Sequence, residues 1–178
     1  MIELSLAELR EVAGFAVACA EPTLAIFERD CPDDPRARAA LDEARGFAAG
    51  GDRTKALRVT ALAAHRAART AQELGRPAAA DAARAAGHAA AAAYLHPLAK
   101  ATQVWHILGS AAHAARAAEL DAGDDRAAGT ACLERATGLA SPVVVSVLTR
   151  YPNAPTGGGR PAQLLRQLDA ALRVAGGC

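Results

Sequence analysis

Pro77-Ala78-Ala79-Ala80-Asp81-Ala82-Ala83-Arg84-Ala85-Ala86-Gly87-His88-Ala89-Ala90-Ala91-Ala92-Ala93-Tyr94-Leu95 leaves its backbone one good option. Twelve of these nineteen residues are Ala, which gives up no side-chain entropy in a helix. Pro77 suits the first helical position, where its missing N–H is not needed. The helix is expected to reach about Leu95, where Pro97 forces a new start. The whole chain shares the bias: fifty of 178 residues are Ala, aromatics make up 3%, and no segment alternates apolar and polar residues for long. An all-α fold with at least about two-thirds helix follows. The helices should approach closely, because an Ala face is thin.

Working outward, punctuation marks seven or eight helices. Ser5-Leu6-Ala7-Glu8 is a capping box, with Leu4 and Leu9 at the staple positions. The stripe Leu6, Leu9, Ala13, Ala16, Ala20, Leu24, Phe27 continues that first helix, and Pro22 predicts a kink near residue 18 or a break. Asp34-Pro35 opens a second helix that Gly50-Gly51 ends. A third runs from about Arg53 to Leu74, and a fifth from about Pro97 to Leu120. A sixth spans about Asp125 to Thr137, and Ser141-Pro142 starts a short Val-rich seventh. Val143-Val144-Val145 has strand propensity but no partner strand. Residues 1–150 read as one Ala-rich helical domain. Residues 151–160, rich in Pro and Gly, read as a flexible loop, and 161–178 as a final helix packing on the same domain.

Charge and cysteines limit the function classes. Lys plus Arg total 20 against 19 Asp plus Glu, so no nucleic-acid footprint is expected. No basic n-region and apolar stretch opens the chain, and the longest apolar run, Ala89 to Leu95, is too short for a bilayer. No membrane partner and a cytoplasmic setting are expected. Cys19, Cys31, Cys132 and Cys178 form no CxxC pair, so reduced thiols are expected, with a Cys19–Cys31 bridge left open.

The polar residues on the Ala-rich helices carry what chemistry there is. His65, His88, His96, His106 and His113 fall on helices three to five or their junctions, without HExxH or a His-x-x-x-His pair. They read as residues bridging helices; the alternative is a metal-dependent helical enzyme using His65, His88 or His113 with a carboxylate. No cofactor is expected. Arg84 and His88, like His65 and Arg69, stand four apart and need carboxylates or solvent. Gly14, Gly87 and Gly109 inside helices suggest close helix–helix approach. No Gly-rich loop follows a strand, and neither Ser146 nor Cys19 has a nucleophile signature.

Several stretches carry a resemblance. They are Cys19-Ala20-Glu21 leading into Ile26-Phe27-Glu28, then Pro32-Asp33-Asp34-Pro35-Arg36-Ala37-Arg38, Glu43-Ala44-Arg45, Ala64-His65-Arg66-Ala67-Ala68-Arg69 and Ala83-Arg84-Ala85-Ala86-Gly87-His88. Together they resemble the immunity-protein-five-like family of bacterial polymorphic toxin systems. The Asp-Asp-x-Arg-x-Arg turn and the Ala-Arg-Ala-Ala-Gly-His segment are its specific parts. Gly46-Phe47 and Tyr94-Leu95 depart from it.

The resemblance implies a helical domain that binds and neutralises a toxin protein without catalysis. It supplies no catalytic residues. It groups Glu21, Asp33, Asp34, Arg36, Arg38, His65, Arg69, Arg84 and His88 as a polar cluster that orders the helices or meets the partner. At least one carboxylate among Glu21, Asp33 and Asp34 should then reach Arg84, His88 or His65. A homo-oligomer is left open.

Overall fold

The computed structural model describes residues 1–176; Cys178 and the end of the expected C-terminal helix beyond Gly176 lie outside the described residues. Of the described residues, 76% are helical. The helices are α1 (Leu6–Asp30), α2 (Arg36–Ala48), α3 (Lys55–Glu73), α4 (Pro77–Ala91), α5 (Val104–Asp121), α6 (Arg126–Leu139), α7 (Pro142–Thr149) and α8 (Arg160–Ala175). Short 3₁₀ turns at Ala92–Tyr94 and Ala101–Gln103 lie between α4 and α5. Among the described residues, no single helix is long and apolar enough to cross a membrane.

α4 is the axis of the domain. It packs against α1, α2, α3 and α5, and its buried residues cover nearly its whole circumference. Ala supplies almost all of them, so four helices can close on it. Bulk comes instead from the neighbours: Leu24 and Phe27 of α1, Leu41 and Phe47 of α2, and Ile107 and Leu108 of α5 are all buried, as are Leu164, Leu165 and Leu168 of α8, which packs on α5. α5 then carries the rest of the fold, packing against α6 and α8 as well as α1 and α4.

The capping box forms as expected. The Glu8 amide donates to Ser5 Oγ at 3.2 Å, and the Ser5 amide donates to the Glu8 carboxylate at 2.7 Å. Pro22 does not break α1, which is helical throughout. Proline there removes the N–H that would have bonded the Ala18 carbonyl. Arg135 of α6 supplies a replacement donor, its guanidinium lying 3.2 Å from Ala18 O. At the next start, Pro35 sits just before α2 rather than inside it. Asp34 is therefore not the N-cap, and no side chain caps α2; from one residue earlier its carboxylate accepts from the Arg36 amide at 3.1 Å instead.

Two segments differ from the sequence reading. Pro97 opens no helix, and residues 96–100 are irregular instead, with a bend at Pro97 and Leu98. Their backbone is claimed by other bonds: Ile2 N donates to Pro97 O at 2.9 Å, Tyr151 Oη to His96 O at 2.8 Å, and the His96 amide to Gln103 Oε1 at 2.9 Å. The Pro/Gly loop before α8 is pinned rather than free. The Ala154 amide donates to the buried Asp169 carboxylate at 2.9 Å, and Arg166 and Arg173 donate to the Pro155 and Pro152 carbonyls.

A buried carboxylate locks the C-terminal helix to the rest. Glu119 on α5 is fully shielded from solvent. It accepts from Arg116 at 2.9 Å and, in a forked arrangement, from Arg160 at the start of α8. Gly129 of α6 makes the space, since a Cβ there would lie 2.3 Å from Glu119 Oε1. Removing one member of such a network strands the others away from water. Glu119→Ala is therefore expected to lower the unfolding free energy by about 3–5 kcal/mol. Urea denaturation checks this, and a loss under about 1 kcal/mol would mean the two arginines find water without rearrangement.

Candidate functional site

Where α3, α4 and α5 meet, the rings of His65, His88 and His113 stand in a row, with the Trp105 ring beside the last two. Asp81, Arg84 and His88 share one face of α4, at spacings of three and four. Trp105, Gly109 and His113 share one face of α5, at spacings of four. His65 comes from α3. The His88 and His113 rings stack at 5.1 Å between centroids with 14° between planes, and His65 meets His88 edge-on, also at 5.1 Å. Trp105 lies 5.7 Å from both His88 and His113. His113 and Asp81 are buried, whereas His65, His88 and Trp105 keep part of their surface accessible.

Hydrogen bonding sets the inner end of the row. His113 Nδ1 lies 2.7 Å from Asp81 Oδ1. An ionised carboxylate can only accept, so Nδ1 carries the proton. Arg84 pairs with the same oxygen at 3.4 Å. At the other junction, His106 Nδ1 lies 3.0 Å from the Ala91 carbonyl at the end of α4.

The helical glycines exist for these rings. A Cβ on Gly87 would lie 2.9 Å from His65 Nε2, and one on Gly109 would lie 2.7 Å from His88 Nδ1. Close approach is thus the right reason for both, but an imidazole presses on each, not a neighbouring helix backbone. Gly14 has only an ordinary contact, 3.7 Å to Ala48 Cβ.

The surroundings disfavour the charged imidazolium. Burial, reinforced by the charges of His113 and His65, holds His88 well below the ordinary histidine value. Burial and then the neighbouring charges of His113 and Arg84 lower His65. Burial also lowers His106, partly opposed by its bond to Ala91.

The cluster expected from sequence is divided. Arg84, His65 and His88 are brought together. Arg69, four residues beyond His65, is exposed on α3 and reaches none of them. Glu21 pairs with Arg45, Arg38 makes a two-pronged pair with Glu28 at 2.6 and 2.8 Å, and Arg36 turns back onto Asp34. Asp33 is exposed in the turn. So the carboxylate beside Arg84 is Asp81, not Glu21, Asp33 or Asp34. The reason is geometric: Asp81 stands one helical turn before Arg84, while the α1–α2 acids have closer arginines. Asp81 and Trp105 were missed, although the spacing Asp81, Arg84, His88 along one helix face was there to be read.

Among the described residues, no three His, Cys, Asp or Glu are arranged to hold a metal ion. The rings pack face to face and edge to face, so their nitrogens do not converge. The metal-dependent alternative gains no support from this geometry.

Fold and site together define an all-α domain whose interior is Ala-rich and whose polar residues pair across helices. The chain belongs to the Imm-5-like family: the family described as "Imm-5 like putative immunity protein" matches residues 3–138, which hold α1 to α5 and nearly all of α6. No curated protein and no solved structure matches the chain.

Two outcomes follow for the ring row. Gly→Ala inside a helix normally stabilises by about 1 kcal/mol, but Gly109→Ala must displace a ring enclosed by His65, His113 and Trp105. It is expected to destabilise by about 1–3 kcal/mol, while Gly87→Ala is milder because the partly exposed His65 can swing outward. Thermal melts of the two variants should rank in that order, and a stabilised Gly109→Ala would contradict the packing. The lowered histidines also set a pH dependence. Their unfolded forms bind protons near pH 6.5 and their folded forms only at lower pH, so acidification favours unfolding. The urea midpoint should fall from pH 7.5 to 5.5, above the range where most paired carboxylates titrate; Glu8, bonded by Arg150 and Ser5, sits at about 2. A midpoint that is flat or rises on acidification would refute this.

Proposed function

We propose that this chain is an immunity protein that binds a toxin of a bacterial polymorphic toxin system in the cytoplasm and neutralises it by occlusion, without catalysis. The observation that carries the reading is the family match across α1 to α6. The chemistry of the interior supports binding over turnover. The His113–Asp81 pair has the form of an oriented base, but His113 stacks on His88, and among the described residues no hydroxyl or thiol is hydrogen-bonded to it. Burial pushes the Cys19 thiol up to about 12, so it supplies no thiolate at neutral pH. Many cross-helix ties also fix the domain's shape, as a stoichiometric blocker requires, because a preorganised surface loses little entropy on binding.

The test is capture followed by rescue. Tagged chain is used to isolate bound proteins from the native cell, and each candidate toxin domain is expressed alone and with this chain. A domain that arrests growth alone but not in co-expression, and that forms a 1:1 complex on purification, is the expected result. If no captured domain is toxic, or toxicity persists in co-expression, the immunity reading fails.

A further inference from the structure

The outer face of α3 is unlike the rest of the surface. Lys55, Arg58, Val59, Leu62, Arg66 and Arg69 are all exposed and lie along one stripe at helical spacing. The stripe is about 21 Å long, and Val59 and Leu62 in its middle are each 53% exposed.

Among the described residues, no carboxylate lies within ion-pair distance of its four cations, whereas nine arginines elsewhere in the chain are paired with acids. Arg58 instead stacks over Tyr94 at 4.7 Å, which props its charge on the surface. The surrounding sequence adds little compensation: the one exposed acid on α3 is Glu73, a turn beyond Arg69 and outside ion-pair distance. Residues 53–116 hold nine Lys or Arg against two Asp or Glu, and one of those acids, Asp81, is buried. Residues 1–52 hold eleven acids against five bases. The near-neutral total therefore conceals an acidic and a basic sector.

We infer that the outer face of α3 is the surface that meets the toxin, and that the toxin presents a carboxylate-rich rim around an apolar centre. This rests on the immunity reading. Nothing in the fold accounts for the stripe: adjacent like charges such as Arg66 and Arg69 repel, and the two aliphatic side chains contribute to no core. A protein partner accounts for both, with Val59 and Leu62 giving desolvated contact and the cations giving steering and register. A nucleic-acid strand would account for the cations but not for the aliphatic centre.

The probe is the growth-arresting domain recovered by the rescue screen. Two variants are compared with the wild type: Leu62→Asp combined with Arg66→Glu and Arg69→Glu on α3, and Arg126→Glu on α6 as a charge-reversal control. All the substituted side chains are exposed, and unchanged circular dichroism with a melting temperature close to the wild type's confirms the fold. The α3 variant is expected to bind at least ten-fold more weakly and to lose rescue, while Arg126→Glu keeps both. Wild-type affinity should fall as salt is raised from 50 to 500 mM, on the order expected for screened surface charges. If the wild type rescues and the α3 variant rescues equally with unchanged affinity, the α3 assignment is wrong and the immunity reading stands. If the wild type rescues from no toxin, both fall. Binding of a labelled oligonucleotide by the wild type, lost in the α3 variant, would replace the acidic protein partner with nucleic acid.

Discussion

An alanine rod at the centre of the domain is the constraint from which the rest follows. α4 presents methyl groups in nearly every direction, so α1, α2, α3 and α5 can approach it closely. Close approach strengthens dispersion contacts at the backbone but leaves little room for any large group on the axis. The ring that α4 places among its neighbours is His88, and it fits only where α5 has no side chain at Gly109. His65 fits over α4 for the same reason, at Gly87. The two glycines forgo helix propensity, and the rings restore contact area through stacking with Trp105 and His113.

Thin helices also explain where the charges are buried. A domain with few aromatics and fifty alanines cannot fix every helix by interlocking large side chains. Three carboxylates take over part of that role. Asp81 ties α4 to α5 through His113, Glu119 ties α5 to α8 through Arg160, and Asp169 ties α8 to the preceding loop through the Ala154 amide. Each is satisfied by more than one donor, the condition under which a buried acid is tolerated. Arg135 does the same for a carbonyl, filling the bond that Pro22 removes from α1. These ties define helix register more narrowly than Ala packing could, because a hydrogen bond is directional and a methyl contact is not.

The helices were legible because their signals are local. Ser5 to Glu8, Asp34, Asp125 and Ser141-Pro142 announce starts through groups within four residues, and the glycines at 50 and 75 adopt the positive φ that ends a helix. What was misread depends on partners far along the chain. Proline 22 looks like a breaker until Arg135 is seen beside Ala18, and residues 96–100 look helical until Ile2 and Tyr151 claim their carbonyls. The site was half legible on the same grounds. Grouping His65, Arg84 and His88 succeeded, whereas assigning them the acids of the α1–α2 turn failed. Sequence separation hides which of several acids is nearest: Arg45 was the closer competitor for Glu21, and Arg36 for Asp34.

The distribution of paired and unpaired charge then separates architecture from recognition. Acids that organise the fold sit on inward faces and are spent: Asp81 on His113 and Arg84, Glu119 on Arg116 and Arg160. α3 divides the two tasks along its own length and circumference. Its inner residues, from Leu57 through Ala61, Ala64 and Ala68, are buried against α2 and α4, and His65 at the boundary reaches in toward His88. One step around the helix, Arg66 and Arg69 are exposed and hold no acid. A helix that is fixed on one side by close Ala packing and carries free cations on the other is a rigid platform. Rigidity matters there because long cationic side chains lose rotamer freedom on binding, and a backbone already held in place adds no further ordering cost.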